Sequence, residues 1–198
     1  MPKLDHPPRR PTHPVIWCIC ATCGFLAMLV VITGAVLFTS YMVIHPHVPQ
    51  LSVGFAKLDH FEFDQMSFLI VRVIIILKAE NDNEKATASF YETEFNLDFE
   101  GNKIATLGAD TFDVGSNSTL ELHYETPSKK ITLGPQESDV LEIGVKQNEI
   151  EFGLTGHART RWRIGPFESV KFWLRLECKL MLPVDKSPIY PRCTTRSK

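Results

Sequence analysis

The sequence has no excess of positive charge and no common enzyme signature. Its 21 Lys and Arg residues against 23 Asp and Glu residues give a formal net charge of −2, which argues against a nucleic-acid-binding protein. It contains no G-x-S-x-G, no H-E-x-x-H, no phosphate-binding G-x-x-x-x-G-K and no dinucleotide fingerprint. His60, His123 and His157 are scattered without a matching nucleophile pattern. We therefore expect no catalytic residues, no cofactor and no metal site.

No Lys, Arg, Asp or Glu occurs between Val15 and Ile44. This run exceeds the roughly 20 residues that a helix needs to cross the hydrocarbon core. It is also longer than the apolar core of a cleavable signal peptide, about 7–15 residues. The run therefore predicts an uncleaved transmembrane helix. Trp17 and Tyr41 suit its two interfaces, and the prolines of "HPHVP", 45–49, end it.

The two flanks of this run differ in positive charge. Lys3, Arg9 and Arg10 precede it, and no Lys or Arg follows it until Lys57. The positive-inside rule then places the N-terminus in the cytosol and residues 45–198 outside. The chain is thus predicted to consist of a basic, Pro-rich cytosolic tip, 1–14, a transmembrane helix, 15–44, and an extracytoplasmic domain, 45–198.

Three cysteines, Cys18, Cys20 and Cys23, lie at the start of the predicted helix. A structural zinc site needs four ligands, and the nearest further candidate is His13, which precedes a proline. A redox pair is also disfavoured, because no base or helix N-terminus is positioned to lower the pKa of a thiol in lipid. Three interpretations remain: small apolar filler, reversible S-acylation of juxtamembrane cysteines and, least favoured, metal binding. We predict that all three are acylated.

From Leu51 onward the dominant sequence period is two, which predicts β-strands. The clearest alternation is in "SFYETEFNLDFEG", where Tyr91, Phe95 and Phe99 share one face. The run 68–81 is apolar on both faces, which indicates a central strand. Further alternating runs are 119–125, 140–146, 149–156 and 169–182. Seven or eight strands, with no helix outside the membrane, predict an antiparallel β-sandwich of immunoglobulin or fibronectin type III kind.

The motifs of the outer part occur in a characteristic order. They are "LKAENDNEKATASFYETEFNLDFEGNKIATL", "FDVGSNSTLEL", "GHARTRWRIG" and a final "LECKL…C". With the basic tip and the Cys-containing anchor, this order resembles plant membrane proteins related to the harpin-induced and non-race-specific disease-resistance proteins. Their outer domain is of the group-2 late-embryogenesis-abundant type, and the resemblance runs from about Pro14 to the C-terminus. Many members have Asn-Pro-Asn where this chain has "ENDN", Glu80 to Asn83, which leaves the shape of that turn open.

The resemblance implies a non-enzymatic, single-pass plasma-membrane protein of plants linked to pathogen or abiotic-stress responses. The first expectation is a role in defence or stress signalling through protein binding. The alternatives are a structural role, as a membrane–wall tether or in protecting membranes during water loss, and the binding of an apolar ligand or lipid. Expected partners are the lipid bilayer, other membrane or wall-associated proteins, and a second copy of the chain. The endoplasmic reticulum and plasmodesmata are the other locations left open.

Two features of the outer part depend on an extracytoplasmic location. Asn117 begins the only N-glycosylation sequon of the sequence, in a turn-rich stretch. Cys178 and Cys193 are the only cysteines beyond the anchor, and in an oxidising compartment such a pair predicts a disulfide. The alternative is two separate thiols, with Cys178 a buried apolar residue.

A basic stripe is predicted in "RTRWRIG". Arg159, Arg161 and Arg163 fall on one face of a strand because successive side chains alternate. Such a stripe, like an exposed sheet edge, could contact acidic lipid headgroups, wall polymers or a phosphorylated partner. The alternative is a solvated outer face that blunts pairing at an edge strand.

Overall fold

A computed structural model describes residues 14–44, 47–64, 66–127, 129–164, 167–168 and 171–197. The chain divides into two units, Met1–His45 and Pro46–Lys198. Apart from Pro14, the predicted cytosolic tip lies outside the described residues, as does part of "IGPF".

The first unit contains helix α1, Pro14–Ile44. In the part of the chain that the structure describes, Val15–Thr39 is the one helical segment long and apolar enough to cross a membrane. The hydroxyls of Thr22, Thr33 and Thr39 donate hydrogen bonds of 2.7–3.0 Å to carbonyls one turn earlier. These polar groups are therefore satisfied within the helix itself, as a segment without access to water requires.

The second unit consists mainly of antiparallel strands, as predicted. Its described elements are β1 (Gln50–Phe63), β2 (Phe68–Asn81), β3 (Thr87–Phe99), β4 (Asn102–Ala109), β5 (Phe112–Val114), β6 (Ser118–Glu125), β7 (Lys129–Thr132), α2 (Pro135–Gln147), β8 (Ile150–Ile164), β9 (Phe167–Glu168), β10 (Phe172–Leu182) and β11 (Arg196–Ser197). The count exceeds the seven or eight expected mainly because β5, β9 and β11 are only two or three residues long.

The strands form two sheets. Sheet I has the order β1–β2–β6, with β7 pairing the same side of β2 as β6. Sheet II has the order β11–β10–β8–β3–β4, with β5 on β3 and β9 on β8. Strand β2 lies between β1 and β6/β7, which confirms the central strand predicted for this run.

A single hydrophobic core joins the inner faces of the two sheets. Ile75 and Leu77 from sheet I, and Phe90, Phe95 and Phe152 from sheet II, are completely buried. Burial of each such side chain contributes roughly 1.5–3 kcal/mol. The alternation seen in the sequence thus becomes the packed interior of a β-sandwich, which confirms the predicted fold class.

Residues 140–146 form part of helix α2, and the strand predicted there is wrong. Pro135 stands at the start of α2, where its missing N–H costs nothing. Asn148 ends the helix in the left-handed conformation, with φ of 58°. Leu141 is buried, whereas Ile143 is 54% exposed. The alternation of apolar residues here therefore did not reflect a sheet face.

The C-terminal segment 183–197 crosses the outer edge of β1. Ile189 exchanges two backbone hydrogen bonds of 2.9 and 3.0 Å with Ala56. The Thr195 N–H donates to the Leu51 carbonyl at 2.8 Å, and the Leu51 N–H donates to the Thr195 hydroxyl at 2.9 Å. This edge of sheet I is therefore covered by the chain itself. It is not one of the exposed sheet edges that were expected as contact surfaces for a partner.

The "ENDN" turn is held by two buried asparagines. The Asn81 amide donates to the Ala86 carbonyl at 2.8 Å. The Asn83 side chain both donates to the His47 carbonyl and accepts from the His47 N–H, each at 2.7 Å. Asp82, which lies between them, is exposed. The two flanking asparagines thus hold the turn.

Candidate binding surface

The outer face of sheet II carries the three arginines of the predicted stripe. Along β8, Arg159, Arg161 and Arg163 alternate with inward-facing residues such as Ala158 and Thr160, which are fully buried. β8 is not an edge strand, because it pairs with β3 on one side and β10 on the other. The interpretation of the stripe as protection of a sheet edge is therefore wrong.

Arg159 is fixed by a carboxylate and an aromatic ring. Its Nη1 donates a 3.1 Å hydrogen bond to one carboxylate oxygen of Glu92, and its Nε lies 3.0 Å from the other in an ion pair without a hydrogen bond of its own. Its Cζ lies 4.0 Å from the centroid of the Trp173 ring. Glu92 has φ of 49° at the register shift between Tyr91 and Glu94. This β-bulge presents the carboxylate to the arginine.

Trp173 is an exposed aromatic residue in the middle of this face. It is 42% exposed, and its ring centroid lies 5.5 Å from that of His157. Beside it is an open groove of about 630 Å³. The lining residues are Asn96, Thr155, Gly156, His157, Trp173, Leu174, Arg175, Leu176 and Glu177. The combination of an aromatic surface, a cation and hydrogen-bonding groups is suited to binding a polar partner.

The remaining arginines of the stripe differ from Arg159. Arg161 is half-buried and Arg163 is exposed, opposite Ser89 and Thr87 of β3 respectively. The structure brings all three arginines to one face, but the charge of Arg159 is already neutralised by Glu92. The two ends of the stripe therefore differ: Arg159 is paired with a carboxylate, and Arg163 is exposed to solvent.

The opposite end of the outer face is also neutralised. Lys179 Nζ lies 2.6 Å from the Glu151 carboxylate. This hydrogen bond, with the charge of Glu151, raises the pKa of Lys179. Partial burial raises the pKa of the nearby Asp98 carboxyl.

Cys178 and Cys193 form a disulfide in the structure, with a Cα–Cα distance of 5.6 Å. Cys178 lies on β10 and is buried. Cys193 belongs to the C-terminal segment, and its carbonyl accepts a 3.0 Å hydrogen bond from the Val53 N–H of β1. The bridge therefore links sheet II to the segment that covers the edge of sheet I.

The sequon residue Asn117 lies in the turn between β5 and β6. Its side chain is exposed, and its backbone has φ of 46°. The Asn117 N–H donates a 3.0 Å hydrogen bond to the Asn83 carbonyl, which fixes the turn. The site is thus accessible, and its glycosylation stays a prediction.

The cysteines of α1 are exposed and not disulfide-bonded. Cys20 and Cys23 are three residues apart and so share one side of the helix, whereas Cys18 faces another. S-acylation of the three stays a prediction. Over the described ranges, no group of three or more His, Cys, Asp and Glu side chains is arranged to hold a metal ion.

Sequence reasoning missed Glu92 and Trp173 as members of this surface. The outward position of Trp173 was available from the alternation in 169–182. The role of Glu92 was not, because it depends on a bulge within β3 that the regular alternation conceals.

Comparisons with known proteins add no family. No protein-family model matches the chain, and no curated protein matches it. Among solved structures, it is similar to a protein from Archaeoglobus fulgidus, with 12% identity and a TM-score of 0.30 over 66% of this chain and 97% of the other. We base no conclusion on a similarity this low.

Proposed function

We propose that this chain is a non-enzymatic, single-pass plasma-membrane protein of plants that acts in defence or stress signalling through protein binding. Helix α1 anchors it, the N-terminus is cytosolic, and the β-sandwich lies outside. The uncharged length of α1 and its internally bonded threonines support the anchor. The three bases before the helix support the orientation.

The disulfide and the sequon support an outside location for the sandwich. Disulfides persist in oxidising compartments and are rare in the cytosol, and the structure contains the Cys178–Cys193 bridge. Asn117 is exposed in a turn, where a glycosylating enzyme could reach it. Both features are typical of a domain that enters the secretory pathway.

The observation that carries the binding proposal is the Arg159–Trp173 pair on the outer face of sheet II. Exposed Trp and Arg side chains contribute most of the free energy at many protein interfaces. Here Glu92 and Trp173 already hold the Arg159 side chain in place, so binding would lose little side-chain entropy. The exposed Arg163 at one end would favour a partner with acidic groups there.

A structural role as a membrane–wall tether is the second candidate. It is favoured by the way the disulfide and the C-terminal segment close one edge of the sandwich, because a tether must resist force. An apolar ligand has less support, since the inner faces of the two sheets already form one packed core.

The test is co-purification of partners with tagged full-length chain from plant membranes after chemical cross-linking. We expect a discrete partner with the wild type that is lost when Arg159, Arg161 and Arg163 are changed to Glu. The matched control changes three exposed lysines elsewhere to Glu, namely Lys85, Lys129 and Lys186, and should keep the partner. Equal recovery with both variants contradicts binding at this face. No discrete partner, together with failed membrane–wall adhesion in plants lacking the protein, favours the tether.

A further inference from the structure

A second cleft adjoins the Trp173 groove, with which it shares Arg175 and Glu177, and lies between β10 and the C-terminal segment. It has a volume of about 540 Å³. Its lining residues are Arg175, Glu177, Arg192, Cys193, Thr194, Arg196 and Ser197. Three guanidinium groups and one carboxylate therefore share this space.

Pairing of β10 with β11 places two of these arginines side by side. Arg175 and Arg196 are direct cross-strand partners. Like charges directly opposite each other in an antiparallel pair are destabilising. Arg192 joins them because Cys193, the next residue, is bridged to Cys178 on the same strand, β10.

These three arginines lack the partners that other arginines of the molecule have. Arg72 lies 3.2 Å from Glu125, and Arg159 lies 3.0 Å from Glu92. Within the described residues, the side chains of Arg175, Arg192 and Arg196 form no ion pair. The cleft thus concentrates positive charge that the protein itself does not neutralise, with only Glu177 to offset it among the lining side chains.

We propose that this cleft binds an oxyanion, either a carboxylate or a phosphate group, through Arg175, Arg192 and Arg196. Guanidinium groups match both chemistries with paired N–H donors. The hydroxyls of Thr194 and Ser197 supply further donors at the same opening. The volume has room for more than one anionic group, so a short oligomer would fit better than a single ion. A bound anion would also relieve the repulsion between Arg175 and Arg196.

The experiment is calorimetric titration of the full chain in nanodiscs of zwitterionic phosphatidylcholine. One arm uses inorganic phosphate and the other a trimer of a uronic acid, which separates the two sources of the oxyanion. Wild type should show saturable binding in at least one arm, weakened by added KCl. Arg192→Gln and Arg196→Gln should bind at least tenfold more weakly. Lys186→Gln, an exposed change in the same segment but outside the cleft, should stay within twofold.

The tighter arm identifies the ligand class, and either result supports the site. Absence of saturable binding in both arms, or equal affinity in all variants, overturns the proposal. Thermal unfolding of each variant checks the fold, and Arg196→Gln should unfold no earlier than wild type without ligand, because it removes a like-charge pair. Neither Arg192 nor Arg196 belongs to the Trp173 surface, so this result is independent of the partner-binding test.

Discussion

The outer faces of the two sheets differ in how their basic side chains are paired with carboxylates. On sheet I, cross-strand pairs neutralise two of the bases: Lys78 lies 3.2 Å from Glu121, and Arg72 lies 3.2 Å from Glu125. On sheet II, Arg159 is neutralised, but the arginines beside the C-terminal segment are left together. The net charge of −2 therefore conceals a local excess of positive charge. The oxyanion proposed above would supply the counter-charge at this place.

The largest expected difference between the sheets concerns two glycines. A Cβ at Gly156 would contact the Glu94 carbonyl oxygen and lie 2.6 Å from Phe95 Cα, which are backbone atoms of the neighbouring β3. We expect Gly156→Ala to destabilise the sandwich by about 3 kcal/mol or more. A Cβ at Gly54 of sheet I would meet only side-chain atoms of Lys78, which must change rotamer and leave Glu121, so Gly54→Ala should cost less, about 1 kcal/mol. Thermal unfolding of the full chain in nanodiscs measures both, and equal effects would contradict this packing.

Next in size is the bridge that joins the two sheets through the C-terminal segment. The cysteines are 15 residues apart, and the chain-entropy model then gives a loss of about 3 kcal/mol for Cys178→Ser with Cys193→Ser. Some backbone bonds to β1 remain, so we expect a lower melting temperature without loss of the fold. Cys23→Ser, in α1, is the control and should leave the melting temperature of the sandwich unchanged. An unchanged melting temperature in the double variant would mean that the bridge contributes nothing.

Removing one charge from each face should give effects of opposite sign. Glu121→Gln on sheet I leaves Lys78 without this ion pair, and we expect a loss of roughly 0.2–1 kcal/mol. Arg196→Gln on sheet II removes the like charge opposite Arg175, and we expect a gain of similar size. Both effects should shrink at high salt. Chemical unfolding at low and high ionic strength distinguishes them, and the same sign for both variants would contradict the contrast between the faces.

The smallest expected effects concern two carboxylates with opposite pKa shifts. Burial raises the pKa of Asp98, so its ionised form is disfavoured in the fold, and Asp98→Asn should raise the melting temperature at pH 7. Hydrogen bonds from Ser187 and Asn148 lower the pKa of Asp185. Its ionised form therefore stabilises the fold above the unfolded pKa, and that gain is lost as the pH falls. Asp185→Asn should lower the melting temperature at pH 7.

The Asp98 difference should shrink as the pH falls through its raised folded pKa and vanish below the unfolded pKa of about 3.9. The Asp185 difference should persist to lower pH, because its lowered folded pKa keeps that carboxylate ionised there. Melting curves from pH 7 down through the acid range provide the check. A difference for Asp98→Asn that persists at the acid end would mean that the substitution acts through packing and not through charge.

Many strands of the sandwich could be predicted from alternation alone, because a half-buried strand has apolar residues on its inner face and polar residues on its outer face. The inward positions of Phe95 and Leu174 were readable in this way. The strand predicted at 140–146 failed because four apolar residues in seven mimic a sheet face, although Pro135 and Asn148 were available as signals of helix ends.

The candidate sites were only partly predictable. The arginine stripe was visible in the sequence, but its partner Glu92 depends on a β-bulge. The cleft at Arg175, Arg192 and Arg196 arises from pairing between segments about twenty residues apart and from the disulfide. Local patterns carry no information about such tertiary pairing, so only the structure could bring these three residues together.

The most direct test of the proposed function is protease protection of a C-terminal tag on the full chain in sealed microsomes. We predict that the tag is protected, that Asn117→Gln removes a glycan, and that Cys178 and Cys193 are oxidised. Digestion of the tag in intact microsomes would place the sandwich in the cytosol. That result would contradict the proposed orientation. It would also contradict glycosylation of Asn117, formation of the Cys178–Cys193 bridge in cells and the binding of any partner outside the membrane.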